Sequence, residues 1–194
     1  MEKRISFVNS KLETRSLEDG QKVLEGYFIV FNQETQLYPG VLEEIMPSSV
    51  TNSLKKNDIR ALFNHDAGIV LARVGNQTLT LTPDEYGLKG SLIINEDDRE
   101  AMDIYARVKR GDINQCSFGF YPIDEEVVQR GDDIKFIVKD ADILEVSIVT
   151  WGAYPTTEIM ARGRQEKVDD LKAREKRARY KALISKHRKE SQDD

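Results

Sequence analysis

The sequence predicts a mostly β protein with a few short helices, an α+β chain built as a barrel or compact mixed sheet. Three observations carry this. Short apolar runs with alternating polarity recur throughout the first 150 residues, each closed by Gly, Pro, Asn or Asp. Only Asn95 to Arg110 combines helix length, a cap and an approximate apolar face. From Gly163 onward the composition turns to Lys, Arg, Ala and Glu with few apolar residues. So dense a series of short strands excludes βαβ repeats.

In chain order, Ile5 and Phe7 mark an opening strand and Val23 to Phe31 a second, separated by the turn-prone Glu18-Asp19-Gly20. Pro39-Gly40 is a turn, and Pro47-Ser48-Ser49 starts a short helix ending near Lys56. Asp58 to Phe63 is a strand that delivers Asn64-His65-Asp66 at its end. Ile69 to Val74, Gln77 to Leu81 and Gly87 to Ile94 follow as short strands. Asn95 caps the helix, Glu96, Asp97 and Asp98 sit at its positive end, and Gly111 stops it. Met102, Tyr105, Ala106 and Val108 form its apolar face. Gln115 to Tyr121 is the next strand, then a hairpin around Arg130-Gly131-Asp132 with Ile134, Phe136 and Val138 alternating after it. Ala141 to Trp151 is the last strand, with Leu144, Val146 and Ile148 on one face and Glu145, Ser147 and Val149 on the other. Gly152-Ala153-Tyr154-Pro155 ends it.

Charge divides the chain in two. The net charge of −5 conceals 12 Lys/Arg against 7 Asp/Glu from Arg162 onward, a balance of +5. Met1 to Ala161 therefore carries −10. Residues 1–162 read as a domain and 163–194 as a basic, charged tail, helical or disordered. An acidic body excludes general nucleic-acid binding. With no apolar run of membrane-spanning length, no signal-peptide core after Met1-Glu2-Lys3-Arg4 and a single cysteine, the chain is expected to work in a reducing cytoplasm, away from membranes.

The chemistry centres on the strand Gln115-Cys116-Ser117-Phe118-Gly119-Phe120. Alternation places Cys116, Phe118 and Phe120 on one side, a buried face, and Ser117 with Gly119 on the other, where the glycine leaves room for another group to approach. Ser117 is either a small polar residue on a half-wet face or a nucleophile. A serine needs a base to take its proton, and the base needs a third group to fix its tautomer. His65, at a strand end, can be that base or a structural histidine; His187 lies in the basic tail and reads as solvated. Glu145, set within an otherwise apolar strand, must be solvated, paired or functional. Cys116 is the rival nucleophile, but it faces away from Ser117 and shares its side with Phe118 and Phe120, which reads as core. Two histidines and one cysteine, far apart, form no metal cluster.

The chain resembles the prohead proteases of tailed bacteriophages, a family related to the herpesvirus capsid-assembly proteases. The motifs follow in order: Gly26-Tyr27, Val30-Phe31-Asn32, Glu43-Glu44-Ile45-Met46-Pro47, Leu62-Phe63-Asn64-His65-Asp66, Val70-Leu71-Ala72-Arg73, Thr78-Leu79-Thr80-Leu81, Gly87-Leu88, Val108-Lys109-Arg110-Gly111-Asp112-Ile113, Cys116-Ser117-Phe118-Gly119-Phe120, Leu144 to Thr150, and Ala153-Tyr154-Pro155. They span about residues 1 to 162, with Gly152 where the family often has proline. The resemblance implies a closed or partly open β-barrel flanked by short helices, and a serine endopeptidase needing no cofactor or metal. It implies Ser117 as nucleophile, His65 as general base and Glu145 as third member. Backbone N–H groups must then stabilise the oxyanion, and Gly119 and the Gly152 turn are candidates on the sequence itself. It further implies action inside the prohead, in the host bacterial cytoplasm, on scaffold or the scaffolding segment of the major capsid protein precursor, with self-cleavage. The herpesvirus branch adds a homodimer by analogy. The reading from another class is a non-catalytic assembly factor that binds capsid or scaffold subunits through the tail.

Overall fold

The computed structural model describes residues 3–8, 12–18 and 20–151, together with helical stretches at 168–170, 172–174 and 177–178. The chain divides into two compact units, Met1–Pro155 and Thr156–Asp194. His187 and the Gly152-Ala153-Tyr154-Pro155 ending lie outside the described residues.

Eleven strands and two α-helices make up the described part of the first unit. They are β1 (Arg4–Val8), β2 (Glu13–Ser16), β3 (Lys22–Val30), β4 (Thr35–Tyr38), β5 (Val41–Ile45), α1 (Thr51–Lys56), β6 (Arg60–Phe63), β7 (Asp66–Arg73), β8 (Leu79–Pro83), β9 (Gly87–Ile93), α2 (Arg99–Arg110), β10 (Gln115–Arg130) and β11 (Asp133–Val149). A mostly β chain with short helices is thus what the molecule is, but the closed barrel is not found. Instead the strands form two sheets. One runs β1-β10-β11-β5-β4, with β6 joined to β11 and β7 to β6; the other runs β2-β3-β9-β8. The core is shared by the apolar faces of the two sheets: Leu24, Phe28, Leu88 and Leu92 from one, Cys116, Phe118, Phe120, Val146 and Ile148 from the other.

Three local readings are corrected by the structure. The helix cap is Asp98, one turn later than Asn95; its carboxylate accepts from the amides of Glu100 and Ala101 at 2.9 and 3.3 Å. Asn95 instead accepts from the Asp97 amide in a turn of its own. The buried helix face is accordingly Ala101, Ile104, Tyr105 and Val108, and Gly111 ends the helix with φ +89°, as the sequence predicts. The strands expected around Ile134 and from Ala141 are one strand, β11, paired with β10 along its whole length. Inside it the register slips: Gly119 pairs with Glu145 but Phe120 with Ile143, so Leu144 is an unpaired bulge residue. Ile143, not Leu144, therefore joins the core, and Glu145 keeps its place on the opposite face.

Candidate active site

The site is assembled on β10, β11 and the β6–β7 turn. Ser117 lies across from Ser147 in the β10–β11 ladder and across from Phe7 in the β1–β10 ladder, so all three side chains share one face. Glu145, two residues before Ser147, is on that face too. Cys116, Phe118 and Phe120 point into the core, and the Phe118 and Phe120 rings stack at 5.0 Å. Cys116 is fully buried there.

His65 reaches the same face because β6 runs parallel to β11, with Leu62 beside Ser147 and Phe63 beside Ile148. The chain then reverses in two residues, Asn64 and His65, with φ of +50° and +62°. Both occupy the left-handed region, which few non-glycine residues adopt and which asparagine and histidine tolerate better than most. Asn64 holds the turn: its amide N–H donates to Ile148 O at 2.9 Å, its side-chain oxygen accepts from the Thr150 amide at 2.9 Å, and its NH₂ donates to Thr150 Oγ1 at 3.1 Å. That anchoring fixes the turn that sets His65 beside β11.

The His65 Nδ1–H donates to Glu145 Oε1 at 2.9 Å. Ser147 Oγ donates to the other carboxylate oxygen at 2.7 Å, and the Lys3 ammonium lies 3.3 Å from Oε1. Burial pushes the Glu145 carboxyl up, but the hydrogen bond and charge of His65, the Ser147 hydroxyl and Lys3 together hold it below the usual carboxylate value. With Nδ1 engaged by Glu145, Nε2 is the ring nitrogen left over; it is buried and has no hydrogen-bond partner among the described residues. The Phe7 ring meets the His65 ring edge to face at 6.3 Å between centroids. A continuous path of neighbours thus runs from Ser117 across to Ser147, through Glu145 and His65, to Phe7 and back to Ser117.

The path does not include a serine–histidine hydrogen bond. Ser117 Oγ is fully buried and donates to the Ser6 carbonyl at 2.8 Å. Gly119 is flanked by β1 and β11 on its two sides, so its N–H belongs to the sheet and is a poor oxyanion donor. Its lack of a side chain serves another purpose: a Cβ there would overlap Glu145 Oε1 and come within 2.6 Å of Lys3 Cε. The other candidate, the Gly152 turn, lies outside the described residues. Strand alternation sets Ser147 on this face without giving it a role, Asn64 stands out in the sequence only within a motif, and no sequence signal marks Lys3.

A nucleophile-type side chain, an imidazole and a buried carboxylate on one face of a β-sheet form the kind of arrangement serine hydrolases use. Comparison with known proteins narrows the class: residues 10–172 match the model of the caudovirus prohead serine proteases, and the chain belongs to that family. It is a phage capsid-maturation protease by family. The match continues ten residues past Arg162, into the stretch the sequence reading set apart as tail. Among solved structures, that of the bacteriophage T4 capsid assembly protease, gp21, is similar, with a TM-score of 0.53 at 14% identity, covering 77% of this chain and 98% of that one. At that identity the likeness shows the fold alone. No curated protein sequence matches significantly.

Proposed function

We propose that Ser117, His65 and Glu145 form the catalytic triad of this protease and that its substrate is scaffold, or the scaffolding segment of the major capsid protein precursor, within the prohead. The observation that supports the assignment most is the 2.9 Å His65–Glu145 contact on the face that carries Ser117. It leaves Nε2 as the ring's acceptor, the atom a general base needs.

In this mechanism the Ser117 hydroxyl rotates away from the Ser6 carbonyl and its oxygen bonds to the scissile carbonyl carbon as its proton passes to His65 Nε2. Glu145 stabilises the imidazolium. When the C–N bond breaks, His65 returns the proton to the leaving amine, and water repeats the sequence to free the acyl group. The structure with Ser117 turned to Ser6 is then a resting state. Self-cleavage follows from the same chemistry, since a protease packed among substrate chains meets its own segments at the same local concentration. A homodimer remains a proposal by analogy with the herpesvirus branch.

The test is co-expression with the capsid precursor, with processing read by gel and mass spectrometry. Ser117→Ala and His65→Ala should lower processing by roughly 10⁴-fold or more, a typical cost of losing a triad member. Cys116→Ala should retain processing, because that thiol sits in the core. Loss in Cys116→Ala alone would assign the wrong nucleophile, and normal processing by all three would leave a non-catalytic assembly factor.

A further inference from the structure

Lys3 precedes the first residue of the family match, residue 10, and nothing in the sequence marks it out. Its ammonium nonetheless lies 3.3 Å from Glu145 Oε1, the same oxygen that accepts the His65 Nδ1–H. The lysine side chain is 37% exposed while the carboxylate is 5% exposed, so a partly wet cation meets a buried anion. Its stem arrives across Gly119, at the spot where any side chain at that position would collide with both partners. Of the other charged groups, Arg60 is next to Glu145 in the β6–β11 register, but its guanidinium turns to Asp58, donating to the Asp58 carbonyl at 3.2 Å with the carboxylate at 3.7 Å. Asp58 is held in turn by Arg73. His65 and Lys3 are therefore the two titratable cation formers in contact with Glu145 among the described residues.

We propose that Lys3 is a positioning residue of the protease, a fixed counter-cation that keeps Glu145 ionised and aimed at His65, admitted to the site by Gly119. The inference rests on the triad reading above. A cation at Oε1 favours the carboxylate over the carboxylic acid. Keeping Glu145 ionised extends activity toward lower pH.

The experiment compares wild type, Lys3→Met and Lys3→Arg by the pH profile of kcat/KM on a peptide spanning a processed junction of the capsid precursor. Lys3→Met should move the acid limb to higher pH by about 0.5–1 unit, as expected for one partly exposed charge within 4–6 Å, and Lys3→Arg should restore it. In parallel, the Glu145 side-chain carbon is titrated by NMR in the Ser117→Ala background, identified by its loss in Glu145→Gln. Adding Lys3→Met should raise its midpoint. An acid limb and a Glu145 midpoint both unmoved by Lys3→Met would overturn the role. Cleavage persisting in Ser117→Ala would instead sink the triad reading, and the NMR titration would still decide the Lys3–Glu145 link.

Discussion

Glu145 is the residue on which the account turns, because a carboxylate this deep in a sheet survives as an anion only where donors surround it. Three do: His65 Nδ1, Ser147 Oγ and Lys3 Nζ. The consequence for pH has a definite sign. Since the folded carboxyl lies below its ordinary value of about 4.3, its stabilising contribution is complete above that value and is lost as pH falls through the lower, folded one. Acid titration followed by circular dichroism should show this for wild type, while Glu145→Gln should lack that component. At neutral pH Glu145→Gln should cost roughly 10²–10⁴ in kcat, as when a triad carboxylate is neutralised and the ring's tautomer is lost. Sequence placed Glu145 on the correct face from strand alternation. It did not reveal Lys3 or Ser147 as partners, because pairing across strands depends on register, which alternation alone leaves open.

At the scale of elements, the β11 bulge and the helix beside it set the direction of Glu145. Ser53 of α1 is buried, donates to the Ala141 carbonyl at 2.7 Å and accepts from the Ile143 amide at 2.8 Å. Asn57, just after α1, donates to the Ile143 carbonyl at 2.8 Å. These bonds serve backbone groups around the bulge at Leu144, where the ladder is interrupted. Ser53→Ala should lower stability by about 1–3 kcal/mol, measured by denaturant unfolding, since it strands two buried polar groups. Gly119→Ala should act differently: by displacing Glu145 Oε1 it should cut kcat/KM by on the order of 100-fold, the scale of a 1 Å misplacement, in a chain that still folds. The elements themselves were largely readable: the strand at Ser117, the hairpin at Gly131, the short helix after Pro47 and the stop at Gly111. Those not assigned, β2, β4 and β5, are four or five residues long, and β2 is mostly exposed, so their patterns were too brief to separate from turns. The displaced helix cap has a similar cause: Asn95 and Asp98 are both competent caps, and packing of the helix face chose the later one.

For the whole molecule, the proposed triad needs the Ser117 hydroxyl turned away from the Ser6 carbonyl of β1, to which it donates in this structure. The β-rich fold was legible as a class, yet its division into two sheets was not, because short alternating strands suit a barrel and a two-sheet packing equally. The basic segment is a second matter of scale. If the basic tail docks the protease onto capsid precursor or scaffold, removal of residues 173–194, which lie beyond the family match, should leave peptide cleavage intact while blocking packaging into proheads, measured by the protease content of purified particles. Normal packaging of that truncation would refute a docking role.

The most direct measurement is covalent labelling by a fluorophosphonate, which reacts with an activated serine, on the full chain co-assembled with its capsid precursor and mapped by peptide mass spectrometry. One adduct is expected, on Ser117, lost in His65→Ala. Labelling of Ser147 or another serine, or an adduct on Ser117 that survives removal of the His65 ring, would contradict it.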